Sequence, residues 1–126
     1  MKDTNKNQKI IAVLDDLFFS SKIREASKSL NLAIEFLKNT EGLLEKLKTI
    51  QPSLIIFDLN SKASNPLEAI QNLKSSPELK DITVLGYLSH VQTELKEAAS
   101  EAGCDLILPR SKFSKDLRTI LSKYSR

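Results

Sequence analysis

One cysteine, one histidine, three glycines and no tryptophan occur among the 126 residues. With Cys104 alone, no disulfide can close within the chain, which suits a reducing cytoplasm. The cysteine follows Gly103 and precedes an apolar stretch, so it reads as a small buried thiol rather than a nucleophile. The single histidine, His90, excludes a histidine-based metal cluster. It has no motif around it that would make a serine–histidine–acid triad, and it reads as structural. Gly42, Gly86 and Gly103 are too scattered to form a phosphate-cradling glycine loop. No apolar run approaches the ~20 residues of a membrane span. The opening MKDTNKNQ has no apolar core behind its lysines, so residues 1–8 read as a short disordered tail and not as a signal peptide. Charge of one sign is also scarce: the net charge is +3 and the pI about 9.0, which argues only weakly for nucleic acid.

What is present is an alternation of strand-like and helix-like segments. Lys9–Leu14 (KIIAVL) reads as a buried strand running into Asp15 and Asp16. Phe19, Ile23, Ala26 and Leu30 then recur at helical spacing. A short strand is expected over Leu32–Leu37, followed by a helix capped by Thr40, carrying Leu43, Leu44, Leu47 and Ile50 and stopped by Pro52. SLIIFD (Ser53–Asp58) is the third strand. Asn65-Pro66 opens the next helix, with Leu67, Ile70 and Leu73 on its apolar face. Thr83–Leu88 is the fourth strand, and a helix with Leu95, Ala98 and Ala99 closes at Gly103. Asp105–Leu108 is the fifth strand, and one last helix presents Phe113, Leu117, Ile120 and Leu121. Five such units with short connections predict a single domain over residues 9–126. The architecture is a three-layer, doubly wound α/β fold with a five-stranded parallel sheet, plausibly in the order 2-1-3-4-5.

In that order, the first and third strands are neighbours where the winding reverses, and their carboxyl ends open into the crevice that such folds use for ligands. The stretch LIIFDLN puts Asp58 at the end of a strand too apolar to hold an unpaired carboxylate inside. Asp15 and Asp16 end the first strand, so three carboxylates are expected to converge. Two like charges ~4 Å apart repel by about 4 kcal/mol at an effective dielectric of 20, and a hard divalent ion such as Mg²⁺ would offset that. Plainer readings stand beside this one. Asp15 and Asp16 can cap the first helix, and Asp58 can form an ion pair with Arg110. Phe18 and Phe19 read as packing at the start of the helix, with one of them available as an exposed anchor.

The acidic pair after the first strand, the aspartate after the third and the basic residue after the fifth resemble a response-regulator receiver domain over roughly residues 9–124. The resemblance implies the flavodoxin-like receiver fold and two-component signalling. It also implies that Asp58 accepts a phosphoryl group from a histidine kinase, that Asp15 and Asp16 hold Mg²⁺ beside Asp58, and that Arg110 stands where a lysine bonds the phosphoryl oxygens. The pattern departs at its switch. Leu88 occupies the place of the usual serine or threonine, with Ser89 one residue late, and Ile107 replaces an aromatic. Pro109 precedes the basic residue and Ser111 follows it, and the loop LNSKAS lacks proline and glycine. The chain therefore resembles an atypical or pseudo-receiver.

From Arg110 onward there are six bases (Arg110, Lys112, Lys115, Arg118, Lys123 and Arg126) against one acid, Asp116. A solvated face is the plain reading. In receivers the face of the fourth helix, fifth strand and last helix docks partners or a second copy, and a basic version suits an acidic protein. Nucleic acid is disfavoured by the lack of a recognition motif or stacking aromatics. No nucleophile–base pair suggests an enzyme. The expectation is a stand-alone cytoplasmic signalling domain that acts through protein contacts, modulated by phosphorylation at Asp58 with Mg²⁺. The competing expectation is a phosphorylation-independent adaptor.

Overall fold

The computed structural model describes residues 10–61, 64–89 and 92–125. The expected tail, Lys9 and His90 lie outside these. Eleven elements follow in chain order: β1 (Ile10–Val13), α1 (Leu17–Ser29), β2 (Ile34–Leu37), α2 (Leu43–Ile50), β3 (Leu54–Asp58), α3 (Pro66–Lys74), β4 (Thr83–Leu88), α4 (Thr93–Ala102), β5 (Leu106–Pro109), α5 (Arg110–Lys115) and α6 (Leu117–Lys123). The sheet is parallel throughout, in the order β2-β1-β3-β4-β5. This is the doubly wound arrangement that the alternation predicts.

Alternation along each strand splits the core in two. Ile11, Val13, Ile55 and Phe57 face α2, α3 and α4, together with Leu43, Leu47, Ile70, Leu73 and Ala99. Ile10, Ala12, Leu54, Ile56, Leu85 and Tyr87 face α1, α5 and α6, together with Phe19, Ile23, Phe113, Leu117 and Leu121. Leu54, Ile55, Ile56 and Phe57 are wholly buried, and burying each stabilises the fold by about 1.5–3 kcal/mol. Gly86 in the middle of β4 is a required gap: a Cβ there would lie 2.7 Å from Leu59 Cδ1. Leu59 can therefore fold back over the sheet, and its N–H donates to the Tyr87 carbonyl at 2.9 Å.

Several local expectations shift. β2 starts at Ile34 and is only half-buried, because it is the sheet's edge and has a strand on one side only. Thr40 is not the cap of α2. Gly42 takes that place with φ +66°, while the Thr40 carbonyl accepts the Leu43 N–H. Asn65 precedes α3 without a side-chain cap bond, and its amide donates to Glu68 instead. The single last helix is broken at Asp116 (φ −98°, ψ 12°) into α5 and α6. There the Asp116 carboxylate pairs with Lys112 at 2.8 Å. Gly103 ends α4 as expected, in the left-handed conformation at φ +112°.

Candidate functional site

Because all five strands run the same way, the residues that follow them share one edge of the sheet. Asp15 and Asp16 follow β1, Asp58 ends β3, Leu88 ends β4 with Ser89 after it, and Arg110 follows β5. Within this edge the side chains divide between the two faces.

Asp58 shares its face with Leu54 and Ile56, which point towards α1 and α5, and it pairs across the sheet with Tyr87. The residue is 6% exposed. One oxygen accepts the Asn60 N–H at 2.9 Å, the turn that a short acidic side chain makes with the residue two further on. Burial dominates its ionisation and pushes the carboxyl above the usual aspartate range. The Asn60 N–H and the Arg110 charge oppose this, and the Asp16 charge adds to it.

Asp16 caps α1. Its Oδ1 accepts the N–H groups of Phe18 at 2.9 Å and Phe19 at 3.3 Å, and its Oδ2 accepts from the Arg110 guanidinium at 2.8 Å. Burial alone would raise this carboxyl. The hydrogen bond and charge of Arg110, with the two backbone donors, outweigh it and hold the group below its ordinary value. The plainer reading of Asp16 as a cap therefore holds. The expected Asp58–Arg110 ion pair does not form, because the guanidinium pairs with Asp16 instead.

Arg110 lies against an aromatic cluster that sequence reasoning missed. Its guanidinium lies 4.7 Å from the centre of the Phe19 ring and 5.8 Å from that of Tyr87. Phe19, Tyr87 and Phe113 stack on one another, with centroids 4.7 Å apart for Phe19–Tyr87 and 4.9 Å for Tyr87–Phe113. The rings come from α1, β4 and α5, so no local spacing announces them. Tyr87 is wholly buried and its hydroxyl has no hydrogen-bond partner among the described residues. Burial, and then the charges of Asp58 and Asp16, push its ionisation well above the tyrosine range, so the hydroxyl keeps its proton.

On the loop side, Asn60 forms a clasp. Its side-chain carbonyl accepts the Ser89 N–H at 2.7 Å, and its amide donates to Gln92 Oε1 at 2.8 Å. This ties the loop after β3 to the loop after β4. Leu88 is buried and Ile107 packs against the same cluster on the opposite face. With Ser89, Gln92, Thr93, Lys96 and Pro109 they line a cleft of about 170 Å³. Sequence reading singled out neither Asn60 nor Gln92, because the partners lie 29 and 32 positions away and no local spacing links them.

No protein-family model matches the chain, and no curated protein matches it. Solved structures do. A response regulator from Hahella chejuensis superposes with a TM-score of 0.83 at 17% identity, covering 94% of this chain and 95% of that one. The chemotaxis response regulator CheY4 of Vibrio cholerae gives 0.78 at 17% identity, covering 94% and 98%. The Mn²⁺-bound form of the response regulator Rcp1 gives 0.74 at 22%, covering 92% and 90%. The fold is that of a response-regulator receiver domain.

The receiver fold raises the question of a divalent ion, and the side chains present do not fit one. Mg²⁺ takes oxygen ligands at about 2.0–2.1 Å in near-octahedral geometry. Both oxygens of Asp16 are already engaged, with a cation on one of them, and Asp15 is exposed. Among the described residues, no three His, Cys, Asp or Glu side chains stand so as to hold a metal. The expected Asp15–Asp16–Asp58 ligand set for Mg²⁺ is thus not assembled, because Asp16 has turned to the helix N-terminus and the guanidinium.

Proposed function

We propose that this chain is a receiver-fold signalling module of the two-component type. It works by contact with protein partners, and its switch region is held by its own side chains rather than by a phosphoryl group. The observation that carries this reading is the Asn60 clasp. Its amide and carbonyl already join the loops after β3 and β4 through Ser89 and Gln92. Leu88 fills the adjacent position with an apolar side chain that offers a phosphoryl group no hydrogen bond. A ligand shifts a two-state equilibrium only through differential affinity, and these contacts leave it little to distinguish.

One observation favours a second reading, in which Asp58 is the phosphoacceptor and a histidine kinase the donor: Asp58 ends β3 at the carboxyl edge of the sheet. Incubation with acetyl phosphate and Mg²⁺ followed by intact-mass measurement separates the two. An unchanged mass is expected; a single added phosphoryl group that disappears in Asp58→Asn establishes the second reading.

The contact surface that supports the proposal lies on α1. Leu17 is 81% exposed and Phe18 64%, at the lip of the site. A shallow groove at Phe18 and a second one between α1 and the last two helices are lined by Lys22, Arg24, Lys28, Lys115 and Arg118 against a single acid, Glu25. An apolar anchor with a basic surround suits an acidic protein segment carrying its own apolar residues. We place the contact on α1 and the side of α5 and α6 that adjoins it, rather than on the face shared by α4, β5 and the last helix, and a second copy of the chain on that face is an outcome of the same measurements. No helix among the described residues is long and apolar enough to cross a membrane. A cytoplasmic setting is part of the proposal, in keeping with two-component signalling and with Cys104 as a buried free thiol. No catalytic turnover of its own is assigned.

A further inference from the structure

We infer that Arg110 is the built-in cation of the acidic edge, and that it keeps a divalent ion out of a site the carboxylates would otherwise form. This rests on the reading of the chain as a module that does not depend on phosphorylation, and deepens it by naming the residue that closes the site.

Asp16 follows β1 and Asp58 ends β3 on neighbouring strands; the Asp16 charge acts on Asp58, and Arg110 acts on both. The guanidinium meets Asp16 at 2.8 Å. A divalent ion brought to the same carboxylate would face a neighbouring positive charge, and would have to take an oxygen already bonded to a planar donor. Displacing the guanidinium is hindered at three points. Its backbone is the first residue of α5, directly behind Pro109 of β5. Its charge is paired with Asp16. Its guanidinium lies over the Phe19 and Tyr87 rings, and both rings pack against Phe113. A guanidinium suits this seat because it is planar, stacks on rings and stays charged at all accessible pH, whereas a lysine ammonium is a mobile point charge.

Removing the side chain beyond Cβ should therefore do more than lose an ion pair. It frees Asp16 Oδ2 and removes the cation paired with Asp16 from the edge that Asp16 shares with Asp58 and the exposed Asp15. A hard divalent ion with oxygen ligands is what such a set takes up.

The test is titration with Mn²⁺, followed by the electron paramagnetic resonance signal of the free ion, on the full chain. Wild type is expected to leave the free signal close to that of buffer into the millimolar range. Arg110→Ala is expected to take up one equivalent, with affinity roughly tenfold or more above wild type. Adding Asp16→Asn to that variant should abolish the uptake. Arg110→Gln, which keeps the first three side-chain carbons and a polar end but not the charge, is measured alongside, so that a folding failure of the alanine variant still leaves an answer; circular dichroism checks both. Wild type binding Mn²⁺ as tightly as the variants, or folded variants that bind no better than wild type, would overturn the inference. The intact-mass experiment is separate: a phosphorylated wild type removes the underlying reading, whereas a metal-binding but unphosphorylated wild type removes only the role of Arg110.

Discussion

Asn60 and Ser89 are joined at 2.7 Å, side-chain carbonyl to backbone N–H, across 29 positions of sequence. With the Asn60–Gln92 bond at 2.8 Å, this one side chain fixes the path of two loops. Asn60→Ala should cost about 1–3 kcal/mol, the penalty for leaving partly buried polar groups without partners. Amide exchange should speed up at Ser89 and at the start of α4, while β1 and β3 keep their protection. Uniform loss of protection across the sheet would mean that Asn60 supports the whole fold rather than the loop junction.

The two carboxyls titrate in opposite senses, so their pH signatures should too. Asp58 has its folded value raised by burial. Its ionised form therefore opposes folding, and stability falls as pH rises from the unfolded towards the folded value. Asp58→Asn should raise the melting temperature at neutral pH, with the gain shrinking below about pH 4, near the unperturbed aspartate value. Asp16 has its folded value lowered. Its contribution is complete above the unfolded value and is lost as pH falls through the folded one. Asp16→Asn keeps a competent helix cap but loses the anionic partner of Arg110, so it should destabilise at neutral pH and converge with wild type in acid. Thermal melts from pH 2 to 8 decide both signs.

Phe18 is exposed, with Lys22 over its ring at 5.4 Å. Phe18→Ser should change stability by no more than about 0.5 kcal/mol, as surface substitutions generally do. It should nevertheless weaken the contact with an acidic amphipathic peptide bearing leucine and phenylalanine anchors among glutamates, followed by chemical-shift changes on α1. Raising salt from 0.05 to about 0.5 M should weaken the same contact, because the charges are solvent-exposed. Shifts produced equally well by duplex DNA would assign the face to nucleic acid, and concentration-dependent shifts without peptide would assign it to a second copy.

Cys104 is buried, and burial pushes its thiol up to about 11. Iodoacetamide at pH 8 should leave it unmodified in the folded protein and alkylate it fully in denaturant. Rapid modification without denaturant would show that β5 opens locally, near its junction with α4.

The fold was legible because its signals are local. IIAV, LIIFD and TVLGYL are runs that only a sheet covered on both faces can bury, and the order of the sheet follows from handedness and alternation. Asp16 as a cap was legible for the same reason, lying two and three residues from its donors. The choice of Asp16 rather than Asp58 as the partner of Arg110 was not legible. Asp16 and Arg110 are 94 positions apart, and the guanidinium lies over Phe19 and Tyr87, rings that come from two other elements. The break of the last helix at Asp116 was hidden by an apolar spacing that runs on through Leu117 and Ile120. β2 was overextended because alternation over Leu32, Ile34 and Phe36 looks the same in a strand and in the chain leading into one.

The aromatic cluster beneath Arg110 also has a spectroscopic consequence. The chain has no tryptophan and only two tyrosines, and one of them, Tyr87, packs against both Phe19 and Phe113 beside the charged pair. The near-ultraviolet dichroism of the folded protein is therefore dominated by chromophores at the site itself. Any event that lifts the guanidinium away writes itself into the tyrosine band, so the unlabelled protein reports on its own pocket.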